Sequence, residues 1–335
     1  MNIAEQLSAY ALSLTYSDLP RNVTHKVKQL LIEYIGDALQ SAEEHPGNRD
    51  IPRQIQSNSA SFFEYVAAAI KHNSASVASI DNFNFNVDIK PGDNITACLA
   101  VAKAEGSTGD ELIVAITLAH EVQYRLLAST FAEPSWSHTH SALISTVIAS
   151  GWLMKLSLVQ LSRALHIAFA QHITPYESEK MAAPGIKIAS QDAFINGIRA
   201  ALLARQGKKI SFSILKSKIR ASSAARTKLD TRYFGNGQNG DFGILRISLP
   251  LENQPPSGAA TPALTEQESG INTLSKKMTD LDFDTKFLIR TEKSIGRTRA
   301  IMALSYLRTL ERHISLDALC EIMKIQRAEA KMANI

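Results

Sequence analysis

Thr108-Gly-Asp-Glu-Leu-Ile-Val-Ala-Ile-Thr-Leu-Ala-His-Glu-Val-Gln-Tyr-Arg-Leu126 is the stretch on which the fold turns. Thr108 and Glu111 have the spacing of a capping box, in which each side chain satisfies the other residue's backbone N–H, so a helix opens here. Behind it Leu112, Ile113, Ala115, Ile116, Ala119, Val122 and Leu126 wrap most of the helix circumference rather than one stripe. A helix that is apolar nearly all round has to be surrounded by other helices. His120 and Glu121 interrupt it, and His120 reads as a buried, hydrogen-bonded histidine rather than a ligand.

The flanking sequence repeats the helical signal. Ile3, Leu7, Tyr10, Ala11 and Leu14 form one face, a Ser17-Asp18-Leu19-Pro20 turn follows, and Val23, Val27, Leu30, Leu31, Tyr34, Ile35 and Ala38 form a second stripe. Asp93 is a plausible N-cap for a helix over Ile95–Glu105, which Gly106 ends. Helices are also expected over Ser141–Leu156, from Ser157 onward with His166 and His172, and over Gln191–Gln206 up to Gly207, with an irregular segment from Thr174 to Ile188. Beyond Gly207 the pattern changes. Phe242–Leu249 reads as a strand, Pro250–Gly270 as a linker rich in Pro, Gly, Ser and Thr, and two last helices are expected over Phe287–Arg312 and Ser315–Met332. The expected architecture is mainly α: a large helical domain over 1–207, a smaller α+β domain with linker over 208–270, and C-terminal helices over 271–335 that return to the helical domain.

Composition narrows the classes of function. The 335 residues are 45% hydrophobic, ample for a large core, and no run of about 18 apolar residues appears. Neither a membrane span nor a leader is expected, and a cytoplasmic location follows as the expectation. Cys98 and Cys320 are the two cysteines and read as reduced core thiols. Charge is divided unevenly: residues 1–207 hold 15 Lys+Arg against 19 Asp+Glu, and residues 208–335 hold 21 against 13. The excess lies in Lys208, Lys209, Lys216, Lys218, Arg220, Arg226, Lys228 and Arg232, against Asp230 alone. Few aromatics interleave with these cations, so nucleic acid is not expected as a partner. Gly235-Asn-Gly-Gln-Asn-Gly240 matches a dinucleotide fingerprint in letters, but no parallel-strand pattern precedes it, and no cofactor is expected.

Two polar stretches carry chemistry. In Asn73–Asn94 a run of small residues leads to Asp81, Asn84 and Lys90, an acid and a cation in a loop between two helices; Asp81 as a helix cap remains the alternative. Glu133–His140 brings His138 and His140 to a helix N-terminus, where the imidazolium form is disfavoured and a neutral imidazole can act as a base. The H-x-H pair has no third ligand of suitable spacing nearby, so no metal is expected.

These stretches, in order, resemble the MmgE/PrpD family, whose members include 2-methylcitrate dehydratase and cis-aconitate decarboxylase. The matching segments are Leu14–Pro20, Asn73–Asp81, Pro91–Glu105, His120-Glu-Val-Gln123, His138–Ser157 and Asn196–Gly207. The resemblance implies a large helical domain with a reduced α+β lid, homodimeric assembly, and a metal-independent site between the domains for a small di- or tricarboxylate. It also implies a lyase of the dehydratase type, with a decarboxylase or isomerase as variants. Asp81 matches the first acid of the family's loop motif and His138 the histidine after the central helix. Lys90 stands where the family has a histidine, Lys187 lies one place from the expected lysine, and Arg232 echoes a lid motif. Asp81, His138 and Lys187 are then the catalytic candidates, and Asn84, Lys90, His140 and Arg232 the substrate-binding ones. Phe83 and Phe85 replace polar groups of the family loop, which motivates a second reading as a non-catalytic binding or regulatory subunit.

Overall fold

The computed structural model describes residues 3–44, 91–129, 138–171, 183–208, 242–246 and 279–323. Within them lie ten α-helices: α1 (Ile3–Ser13), α2 (Arg21–Glu44), α3 (Pro91–Glu105), α4 (Gly109–Ser129), α5 (His138–Leu153), α6 (Leu158–Gln171), α7 (Ala183–Arg205), α8 (Asp280–Ile295), α9 (Arg297–Arg308) and α10 (Asp317–Ile322). The described residues are mainly helical and contain no strand.

Helix α4 begins as its capping box requires: the Thr108 N–H donates to Glu111 Oε2 at 3.0 Å and the Glu111 N–H to Thr108 Oγ1 at 3.4 Å. Every residue from 112 to 123 is buried, so the central position expected for this helix is the observed one. Helix α5 is a second central helix, buried from residue 141 to 151. Its Ala, Ser, Thr and Gly positions let neighbours approach closely: a Cβ on Gly197 of α7 would stand 2.8 Å from Thr146 Cβ and 3.0 Å from the Leu143 carbonyl oxygen. The capping box at Ser157 and Gln160 opens α6, and Gly106 and Gly207, at φ +64° and +78°, end α3 and α7 where only glycine is at ease.

Side-chain contacts set the helix directions. Glu111 near the start of α4 pairs with Lys155 just past the end of α5. Asn94 near the start of α3 bonds Gln123 in the later part of α4. Helix α4 is therefore antiparallel to both α3 and α5. Glu105 and Arg205, the last residues of α3 and α7, pair at 2.6 Å, so those two helices end together. The N-termini of α3, α5 and α7 consequently share one end of the bundle with the C-terminus of α4.

The C-terminal helices close the opposite flank. Helix α8 lies along α2 through Phe287 and Thr291, and the Ser294 hydroxyl donates to the Leu39 carbonyl at 2.9 Å. Glu33 and Asp37 of α2 face Lys286 and Arg290 of α8, with Arg290 Nη1 2.9 Å from Glu33 Oε1 and also paired with Asp37.

Several boundaries differ from the sequence reading. Helix α3 starts at Pro91, so Asp93 lies inside its first turn instead of capping it; proline's fixed φ suits a helix start, where its missing N–H costs nothing. By the same logic α7 starts at Ala183 with Pro184 in its first turn, and residues to Ile188 that were expected to be irregular are helical. Helix α5 takes in His138–His140 and ends at Leu153. The strand expected from Phe242 is, over Gly243–Arg246, a 3-10 turn. Buried Phe242 and Ile244 pack it onto α4, and the Gly243 N–H donates to Glu121 Oε2 at 2.5 Å, a local anchor in place of a partner strand. The single helix expected over Phe287–Arg312 is divided at Gly296, whose φ of 82° ends α8, and α8 itself starts seven residues earlier behind a Thr279–Asp282 capping box. The last expected helix, Ser315–Met332, is observed over Asp317–Ile322, and residues 324–335 lie outside the described residues.

Candidate functional site

At the shared helix end, axial rise locates the backbone positions. Lys187 lies 18 residues before the Arg205 end of α7, about 27 Å along the axis, whereas Pro91 lies 14 residues before Glu105, about 21 Å. The Ser145 hydroxyl reaches Asn94 Oδ1 at 3.3 Å. Counting back from that contact puts His138 about 10 Å toward the helix start and Pro91 about 4.5 Å. The close contact of Gly197 with Leu143 and Thr146 puts Lys187 about 15 Å and His138 about 10 Å toward the same end, so the two share that end about a turn apart. His140, two residues into α5, is half-buried. Asp81, Asn84, Lys90 and Arg232 lie outside the described residues, Lys90 being the chain neighbour of Pro91.

The starts of α3, α5 and α7 present backbone N–H groups at this end, to which the ends of α4 and α2 also run. Beneath them is a buried polar layer that the sequence reading had not assembled: Asn94 on α3, His120 and Gln123 on α4, and Ser145 on α5, none more than 1% exposed. Asn94 Nδ2 donates to Gln123 Oε1 at 2.5 Å, and the Ser145 hydroxyl also donates to the Ala142 carbonyl at 2.9 Å. Beside this layer the Tyr34 and Thr96 hydroxyls form a hydrogen bond between α2 and α3.

His120 Nδ1 sits 2.8 Å from the Ile116 carbonyl, so this nitrogen carries the proton and donates. Burial pushes the ring down to about 4, slightly offset by that bond, and the imidazole is neutral at ordinary pH. The expectation of a satisfied histidine thus holds for one nitrogen; among the described residues Nε2 has no partner. The legible signal was His120-Glu-Val-Gln123 itself, polar residues three apart on a helix otherwise buried all round. Glu121, between them, points elsewhere: it pairs with Arg125 and holds the Gly243 turn.

A groove between α8 and α9 is lined by Thr285, Leu288, Ile289, Glu292, Arg297 and Ala300. Its charged pair, Glu292 and Arg297, is 3.9 Å apart and exposed, which suits a solvated rim more than a reaction site. Among the described residues no group of three or more His, Cys, Asp or Glu side chains is placed to hold a metal ion, and no helix is long and apolar enough to cross a membrane.

The described residues form a helical bundle with an uncharged polar layer buried below the starts of α3, α5 and α7. Residues 5–218 match the family model for the MmgE/PrpD N-terminal domain, and the chain belongs to the MmgE/PrpD family. No curated protein matches the chain.

Proposed function

We propose that the chain is a dehydratase-type lyase acting on a small di- or tricarboxylate such as 2-methylcitrate or an alkylcitrate. The observation that carries this reading is that the helix starts carrying His138 and Lys187 lie at one end of the bundle, with the start of α3. Family membership agrees with it, since the family includes lyases of this kind.

Loss of water from a β-hydroxy acid requires three things. A base takes a proton from the carbon beside a carboxylate, an acid protonates the departing hydroxyl so that it leaves as water, and cations hold the carboxylates and the enolate-like charge. In this proposal His138, at a helix start that favours its neutral form, moves the proton with Asp81 as partner. Lys187 joins them at the reacting carbon, and Asn84, Lys90, His140 and Arg232 hold the substrate. An arginine grips a carboxylate through two hydrogen bonds, whereas a lysine offers a point charge. Residues 208–270 act as a lid over 1–207, and the chain works as a homodimer without a metal.

The test is turnover by the purified chain with methylcitrate, citrate and alkylcitrates, followed by the absorbance of the unsaturated acid. His138→Ala should lower the rate by roughly 10²–10⁴. Absence of turnover, together with no shift in melting temperature on adding these acids, would sink the proposal. Ligand-induced stabilisation without turnover would instead favour a binding subunit.

A further inference from the structure

The outer side of the C-terminal hairpin is apolar. Helices α8 and α9 meet at Gly296, and the Arg308 guanidinium at the end of α9 pairs with Asp280 and Asp284 at the start of α8, so the two helices run antiparallel side by side. Their inner faces are occupied: Phe283, Phe287 and Thr291 of α8 and Ala303 and Leu307 of α9 are buried. On the outer face Leu281, Leu288, Ile289 and Glu292 fall in a stripe about 100° wide on α8, and Arg297, Ile301 and Leu304 fall in a narrower one on α9. Leu281, Ile289, Ile301 and Met302 are four of the seven exposed large hydrophobic side chains among the described residues, with Leu281 73% and Ile289 68% exposed. A contiguous apolar face rimmed by charge marks a surface that meets another protein.

The charges indicate which protein. Toward the hairpin turn the groove carries one acid and one base, Glu292 on α8 and Arg297 on α9, 3.9 Å apart and therefore at one level. A twofold axis running along the groove sets α8 of one copy across from α9 of the other, level for level. Glu292 then faces Arg297 of the second copy, and Arg297 faces its Glu292. Ile289, three residues before Glu292, comes level with Ile301, four residues after Arg297. The face is thus its own complement in charge and in apolar surface. An acidic or a basic partner would find its own sign there as well as the opposite one, and like charges brought together across an interface are costly.

We propose that the outer face of the α8–α9 hairpin is the interface of a twofold homodimer, in which two hairpins pack groove to groove as a layer of four helices. This rests on the homodimer in the function proposed above and gives it a face; it does not depend on turnover.

Sedimentation of the full chain over a range of concentrations tests it. The wild type should be a dimer, and Ile289→Asp should raise the dissociation constant at least about tenfold, as burying a charge at the centre of an interface does. Glu292→Arg and Arg297→Glu should each weaken the dimer, because like charges then face each other across the axis. Mixed in equal amounts, these two variants should form a heterodimer, since every facing pair then has opposite signs. A dimer that Ile289→Asp leaves as tight as before, or charge variants that gain nothing on mixing, overturns this face and leaves the homodimer to form elsewhere. A wild type that is monomeric at the highest concentration reached overturns both. A lower melting temperature for Ile289→Asp than for the wild type, both diluted to monomer, means that the chain's own residues cover the face, and the inference fails.

Discussion

Two clusters of polar side chains lie between helices among the described residues, one partly buried around Glu33 and one fully buried, and they are built in opposite ways. Between α2 and α8, Glu33 and Asp37 meet Lys286 and Arg290, and every charge has an opposite charge beside it. Between α3, α4 and α5, Asn94, His120, Gln123 and Ser145 are neutral, and two of their atoms have no partner. The first arrangement is what docking one helix on another requires, since charges taken out of water are tolerable only when paired. The second is incomplete among the described residues, since His120 Nε2 and Gln123 Nε2 are left unpaired. Burial alone does not separate the two; completeness of pairing does.

The largest expected effect lies in the paired cluster. Arg290→Ala leaves buried Glu33 and partly buried Asp37 with Lys286 alone to balance them, and should cost about 3 kcal/mol of stability by denaturant unfolding. A loss below about 1 kcal/mol would mean that the charges reach water and that the contrast between the clusters is unsound.

Next in size is a steric test of the site end. Gly197→Val drives a side chain into Thr146 and the Leu143 carbonyl, where even a Cβ has no room. Overpacking of this kind costs roughly 1–3 kcal/mol. Because this contact sets α7 against α5, and with it the level of Lys187 relative to His138, any turnover should fall as well. Unchanged stability and activity would show that the close approach is not what aligns the two helices.

The paired cluster also predicts a pH dependence. Burial pushes the Asp37 carboxyl up to about 7, with the Glu33 charge adding to the rise and Arg290 and Lys286 opposing it. Between the ordinary value of 3.8 and about 7 the folded chain holds a proton that the unfolded chain has released. The contribution to stability is therefore full below the lower value and is lost as pH rises through the upper one. Asp37→Asn, neutral throughout, should gain on the wild type from about pH 4 to about pH 8. A margin that is constant with pH, in paired thermal melts, would contradict the shifted carboxyl.

The smallest effect is expected at the open cluster. His120→Leu removes an orphaned nitrogen, and the Ile116 carbonyl keeps its helical hydrogen bond, so stability should change by less than about 1 kcal/mol. A cost of about 3 kcal/mol or more would place His120 with the structural groups and erase the distinction drawn above.

Much of the bundle was legible along the chain because the signals are local. The capping boxes at Thr108 and Ser157, the glycines at 106 and 207, and the all-round apolar pattern of α4 depend on residues within a turn of each other, and they survive folding unchanged. Boundaries failed where a local signal was weighed wrongly. Pro91 and Pro184 stand in first helical turns, where proline is at home, and the positive-φ Gly296 divides the helix expected over Phe287–Arg312. The apparent strand at Phe242 was a run of apolar residues that periodicity could not distinguish from a packed turn.

The sequence by itself determined the helical class, the family resemblance, and the identity of His138 and Lys187 as candidates, because cap spacing, periodicity and motif order are properties of neighbours in the chain. Only the tertiary structure decided which end of the bundle gathers the starts of α3, α5 and α7. It alone showed that Asn94, His120, Gln123 and Ser145 share one buried layer, and that Glu33 and Asp37 face Lys286 and Arg290 some 250 residues away. Helix direction and long-range pairing follow from which faces are buried against each other, and no local pattern records that.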